Sequence, residues 1–382
     1  MVIAAIGTLA AATGSSDPLV AQQGALDVID MDEAWAITHG ADGQRIGIVD
    51  TGLFQAHEEL QGGVVAGGYD FMSDPALAGD GDGRDGNFED DGLNGKLAHG
   101  SHVAGILAAR GDDGVGIAGL NWNANVVMAR ALSGTQGGTN IDIMAGARWL
   151  AGLHVDGVPD IDKKVDVINM SLGFPGACGD TQKDVDDILA QGVLIVAAAG
   201  NHGADFGGVT DDTVQAPANC DGVISVGATD FDKAQTGYTN SDGRIDIVAP
   251  GGDGSPNGAV LSLGAGASDY ELQQGTSMAT PHVTGVVSLM LAVDPTLSPQ
   301  AISAILLALP STCSGCNQAP MLDAKRALDA VRGDGPTQVT QGGCAQTPGS
   351  SSSTPATAAL FATALAGGSV IRRRRVGVPR AA

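Results

Sequence analysis

Residues 44–52 read QRIGIVDTG: the apolar run Ile46-Gly47-Ile48-Val49 closes on Asp50-Thr51-Gly52. Apolar residues without polar alternation fit a strand covered on both faces, and Asp before Gly marks a sharp turn at its end. The same kind of run recurs at 125–132 (NVVMARAL), 165–173 (VDVINMSLG), 193–201 (VLIVAAAGN), 222–229 (GVISVGAT) and 245–251 (IDIVAPG). Segments with helical apolar spacing lie among these runs, at 99–110, 141–153 and 184–192. Two more follow, at 277–293 and 298–309. The pattern predicts an α/β fold of three layers, with a mostly parallel central sheet and helices on both faces. Ligands of such sheets bind at the carboxyl ends of the strands. Asp50, Ser171-Leu172-Gly173 and Asn201 close strands, while His99 and Ser277 open helices, so these residues are expected on one edge of the sheet.

Each is ambiguous alone. Asp before Thr-Gly is common in turns. Ser277, between Gly275-Thr276 and a helix, has the place of an N-cap. Asn201 before His202-Gly203 suits a left-handed turn. Together they supply a different chemistry. A serine hydroxyl is a poor nucleophile until an imidazole takes its proton, and a carboxylate behind the imidazole fixes its tautomer and stabilises its cation. An Asn amide at a strand end can donate to an oxyanion. His102, three residues after His99, lacks the spacing and glutamate of a helical metal pair. It is expected to bond buried backbone. Pro281 is placed in the first helical turn, where its missing N–H costs little.

The motifs VDTG, HGSHVAG, NMSLG, AAAGN and GTSMATPHVTG, in this order, resemble those of the subtilisin-like serine peptidases, the subtilases. The resemblance runs from about Asp17 to Val331. It implies a serine endopeptidase acting on proteins or peptides, with Asp50, His99 and Ser277 as the triad. It further implies an oxyanion hole of Asn201 and the Ser277 N–H. Ser171, Leu172 and Gly173 would form an edge that pairs with extended substrate and walls the first specificity pocket. His202, beside that pocket, could make its preference depend on pH.

The acidic stretch DGDGRDGNFEDDG (80–92) offers clustered oxygens and tight turns, as a Ca²⁺ loop needs. It is not an EF-hand, because Arg84 takes a ligand position. It resembles the acidic insertion of a bacterial extracellular subgroup of the family. Structural Ca²⁺ is expected at Asp80, Asp82 and Asp85; the peptidase chemistry itself requires no cofactor. Cys178 and Cys220 flank a βαβ-like stretch, and the same subgroup carries cysteines at these places. Cys313 and Cys316 lie close together without a histidine pair that would suggest zinc. Two disulfides and an odd Cys344 are expected, hence an oxidising compartment.

Hydrophobic residues make up 43% of the 382, enough for a large core, but aromatics only 3%, so aliphatic side chains must fill it. A net charge of −24 argues against nucleic acid as a partner. Residues 1–16 have the shape of a signal peptide or leader. They are too few to fold as the inhibitory pro-domain that secreted relatives carry. The catalytic domain is expected at 17–335, a flexible Gly/Ser/Thr/Pro linker at 336–356, and an apolar segment with an arginine cluster at 357–382. The last layout suggests a sorting or membrane-anchor signal, with Cys344 as a processing or lipidation point. The protein is expected to be a monomer, secreted or held at a bacterial cell envelope.

Overall fold

The computed structural model describes residues 14–334, apart from 79–80, 91–97, 134–136, 204–211 and 256. Asp80, Cys344, the linker, the tail and most of the leader therefore lie outside the described residues.

Seven strands form one parallel sheet: β1 (Arg45–Asp50), β2 (Val65–Asp70), β3 (Asn125–Arg130), β4 (Val167–Met170), β5 (Leu194–Ala198), β6 (Ile224–Thr229) and β7 (Ile247–Pro250). Their order across the sheet is β2-β3-β1-β4-β5-β6-β7. An antiparallel hairpin, β8 (Val260–Leu263) with β9 (Tyr270–Gln273), stands apart. The helices are α1 (Gly24–Val28), α2 (Met31–Trp35), α3 (Pro75–Ala78), α4 (His99–Ala108), α5 (Asn140–Leu150), α6 (Thr181–Ala190), α7 (Thr276–Val293), α8 (Pro299–Leu307) and α9 (Ala324–Arg332).

The two-residue period of the strands divides the core in two. Ile46 and Ile48 of β1, Val126 and Met128 of β3, and Leu194 and Val196 of β5 pack with α4 and α7. Val49, Val127, Ala129, Ile195 and Ala197 face the opposite way, toward α5 and α6. This is the three-layer arrangement predicted. Burying an Ile or Leu side chain fully contributes about 1.5–3 kcal/mol, and the central strands are apolar on both faces for that reason. α7 is apolar and long enough to cross a bilayer. Here it is the buried central helix, against β4 to β7, α4 and α9.

Both expected disulfides are present, Cys178–Cys220 and Cys313–Cys316. The sequence reading missed β2, whose Gly67 and Gly68 break up any apolar run. It also missed the β8–β9 hairpin and the short helices.

Candidate active site

β1 ends at Asp50, a fully buried carboxylate. Its Oδ1 accepts from the Thr51 amide (2.7 Å) and faces His99 Nδ1 at 2.7 Å. His99 opens α4. Thr51 joins the strand end to this helix: its hydroxyl donates to Asp90 Oδ2 (2.6 Å) and accepts from the Gly100 amide (3.0 Å). A Cβ at Gly100 would stand 2.2 Å from the Gly52 carbonyl oxygen, so only glycine lets helix and turn approach this closely.

Burial alone would lower the His99 pKa. The charge and hydrogen bond of Asp50, with smaller help from Asp90 and Glu271, reverse this and hold it above the ordinary imidazole value. His102, fully buried, is instead pushed down to about 3 by burial and by the charge of His99. Its Nε2 lies 3.2 Å from both the Val260 and Glu271 carbonyls, the backbone role its spacing predicts.

Ser277 stands at the start of α7, after Gly275. It is joined twice to Ser171, at the end of β4. Ser277 Oγ donates to the Ser171 carbonyl (3.0 Å), and Ser171 Oγ donates to the Ser277 carbonyl (2.7 Å). The second bond corrects the expectation for Pro281. α7 begins at Thr276, which puts Pro281 in the second turn, where its N–H would have bonded the Ser277 carbonyl. Ser171 supplies the missing donor. Asn169 Nδ2 donates to Ser171 Oγ (2.9 Å), and Asn169 Oδ1 accepts from Thr284 of α7 (2.9 Å), so the connection runs through buried polar groups.

Asn201 follows β5. Its Oδ1 accepts from both the amide and the hydroxyl of Thr276 (2.8 Å each). The amide nitrogen lies toward Gly275, where a Cβ would stand 3.3 Å from it. Leu172 is buried, and a Cβ on Gly173 would stand 2.4 Å from Gln215 Oε1. Gln215 Nε2 in turn lies 3.3 Å from His202 Nδ1. Asp50, His99, Ser171 to Gly173, Asn201 and Ser277 thus come from separate elements to one sheet edge. The roles of the Ser171 hydroxyl and of Thr276 had no signal in the sequence, since each depends on a partner far along the chain.

Arg84 and Asp85 tie the acidic loop to its neighbours. Asp85 O accepts from the Asp70 amide (2.9 Å), and Asp85 Oδ1 from the Asn87 amide (2.7 Å). Arg84 bonds Asp142 (2.8 Å) and the Phe71 carbonyl (3.0 Å). Among the described residues no three His, Cys, Asp or Glu side chains converge as metal ligands. Asp82 and Asp85 are two of the three ligands expected, and Asp80 lies outside the described residues.

A family model described as the subtilase family matches residues 41–312. The chain belongs to the subtilase family. This subtilase is 38% identical over 320 residues to an extracellular protease of Xanthomonas campestris, covering 78% of this chain and 53% of that protein. It is 36% identical over 328 residues to the extracellular basic protease of Dichelobacter nodosus, covering 79% and 53%. The chain therefore spans about half the length of these two relatives. Subtilisin DY of Bacillus licheniformis is 32% identical over 277 residues, 72% of this chain and 87% of that one. Among solved structures, a protease from Pseudoalteromonas arctica superposes with a TM-score of 0.75 at 32% identity, covering 83% of this chain and 99% of that chain.

Proposed function

We propose that this subtilase is a serine endopeptidase that hydrolyses peptide bonds in proteins, with Ser277 as nucleophile, His99 as general base and acid, and Asp50 as the orienting carboxylate. The observation that carries the proposal is the 2.7 Å contact of Asp50 Oδ1 with His99 Nδ1, at the edge where Ser277 opens α7. With Nδ1–H donated to Asp50, Nε2 of the neutral ring is free to accept a proton. The serine hydroxyl must first leave the Ser171 carbonyl, a rotation about one bond.

The steps then balance. Ser277 Oγ bonds to the scissile carbonyl carbon as its proton passes to His99 Nε2. The oxyanion meets the Asn201 amide and the Ser277 N–H, with the positive end of α7 behind it. His99 returns the proton to the departing nitrogen as the C–N bond breaks, leaving an acyl-enzyme. Water, deprotonated by His99, attacks the ester. The Ser277–acyl bond breaks, and Oγ takes the proton back from His99. Ser171 to Gly173 pair with the acyl side of the substrate in this reading.

Secretion fits the names of the extracellular relatives and the two disulfides. Anchoring through the tail, processing at Cys344 and a monomeric state are carried forward from the sequence. Ca²⁺ at the 80–85 loop rests on the sequence alone, and an unchanged Tm in excess chelator removes it. The deciding experiment for the activity is labelling with a fluorophosphonate, wild type beside Ser277→Ala. A folded wild type that takes no label overturns the proposal. Cleavage-site profiling then separates a broad enzyme from one dedicated to a single substrate.

A further inference from the structure

The β8–β9 hairpin is stapled to the helix that His99 opens. His102, kept neutral by burial, has one ring nitrogen 3.2 Å from both the Val260 and Glu271 carbonyls. Ser262 Oγ donates to the His102 carbonyl at 2.7 Å. The backbone of Glu271 is thereby fixed against the first turn of α4. Glu271 and Gln273, two apart on β9, project to the same face, and Gln273 Nε2 donates to Glu271 Oε1 (2.5 Å). The amide of Ala98, the residue before His99, also favours this carboxylate. A half-buried acid is thus held at the start of α4 by groups from two elements, and no step derived above uses it.

Four titratable groups act on or lie beside the His99 ring: Asp50 from β1, Asp90 from the loop before α4, Glu271 from β9 and His102 one turn along α4. Asp50 occupies Nδ1, and Asp90 accepts from Thr51 (2.6 Å). Glu271 belongs to the strand that runs through Gln274 and Gly275 into Ser277, and Ser277 is joined on another side to Ser171 of the acyl-binding edge. His99 must face the departing nitrogen in order to protonate it.

We propose, resting on the endopeptidase reading, that Glu271 is a positioning residue for His99 on the leaving-group side of the cleft, and that it makes this side select a basic residue directly after the scissile bond. A fixed carboxylate there stabilises the imidazolium that forms as Ser277 gives up its proton. It also attracts a Lys or Arg carried by the departing segment. Burial raises the pKa of Glu271 itself and the charge of Asp269 adds to this, while Gln273, the Ala98 amide and His99 oppose it, so the selection fades as the carboxylate protonates on the acid side.

The test compares wild type with Glu271→Gln on two quenched peptides that differ only in Arg or Glu after the scissile bond. A unit charge pair near 4 Å in water corresponds to about 1 kcal/mol, and attraction of Arg adds to repulsion of Glu, so wild type should prefer Arg by roughly thirtyfold. The preference should shrink at high salt. In Glu271→Gln it should fall toward unity, and the acid limb of kcat/KM should move to lower pH. An unchanged Arg/Glu ratio and an unmoved limb in a variant of wild-type Tm overturn the proposal. Should Glu271→Gln fail to fold, the wild-type ratio decides: a value near one at low salt overturns it, and a salt-sensitive preference for Arg that weakens in Gln273→Ala upholds it. Fluorophosphonate labelling of wild type separates the two readings. No label sinks the endopeptidase reading, whereas labelling with an unchanged ratio sinks only the role of Glu271.

Discussion

Ser171 and Ser277 hold each other by a reciprocal pair of hydrogen bonds, hydroxyl to carbonyl in both directions, at 2.7 and 3.0 Å. One of them repairs the gap that Pro281 leaves in α7. Ser171→Ala leaves the Ser277 carbonyl and the Asn169 amide without their partner. Loss of a buried partner costs about 1–3 kcal/mol. The expected outcome is a lower Tm with slower fluorophosphonate labelling. A variant with unchanged Tm and labelling rate means the pair does not position the nucleophile.

Thr276 orients Asn201 through two bonds to the same oxygen, so the amide nitrogen is presented rather than searched for. Asn201→Ala should lower kcat by about 10²–10³ with little change in KM, a range obtained for the corresponding donor of subtilisin itself. Thr276→Val removes one of the two bonds and should give a smaller fall in kcat, again with KM nearly constant. A KM effect larger than the kcat effect would count against an oxyanion role.

The pKa of His99 is held above the ordinary imidazole value, and the proposed mechanism needs the ring neutral to accept a proton. Activity should therefore fall on the acid side with a midpoint above that value. The same shift adds stability at low pH that is lost as pH rises through the folded pKa. Asp50→Asn removes the largest contribution that raises the pKa and fixes the tautomer. A loss of about 10⁴ in kcat is expected, read from initial rates across pH.

Gly100→Ala drives a methyl into the Gly52 carbonyl at 2.2 Å. Overpacking of this kind costs about 1–3 kcal/mol, and here it also pushes His99 away from Asp50. Both Tm and kcat should fall. A variant with normal Tm and normal rate means the backbone gives way without moving the base.

Glu59 tests a different region. Burial pushes its carboxyl up to about 7, against the Ile117 amide and Tyr270 hydroxyl that bond Oε1, while Oε2 is buried without a partner. The folded chain keeps a proton there that the unfolded chain has lost. Stability from this group is greatest below the unfolded pKa and declines as pH rises through about 7. Glu59→Gln should remove that decline, so its Tm relative to wild type should rise from the ordinary carboxylate range up to about pH 7 and stay level above it. Parallel Tm curves for the two proteins would refute the assignment.

The central strands and α4, α5 and α7 were legible because each carries its signal within a few residues: an apolar run, a helical period, a glycine at the turn. β2 was not, since an edge strand with Gly67 and Gly68 has little to bury. α9 was passed over because it is short and charged. At the site, residue types at strand and helix ends pointed to Asp50, His99, Asn201 and Ser277. The supporting bonds were illegible. Ser171 meets Ser277 across 106 positions of chain, and Glu271 reaches His102 across 169. Cys178 and Cys220 could be paired because they bracket one unit of the fold. The calcium expectation rests on acidic composition, and Asp80, one of its three ligands, lies outside the described residues.

α7 contacts four strands of the sheet and two helices, and it comes late in the chain. Contacts so remote along the chain form slowly, because loop closure must precede them. Until residues 276–293 are in place, four strands of the sheet lack their cover on one face, and Asp50 and His99 have no Ser277 beside them. The cutting edge is assembled only when this helix seats. A chain cut short before this helix should therefore neither hold the sheet together nor take the fluorophosphonate label.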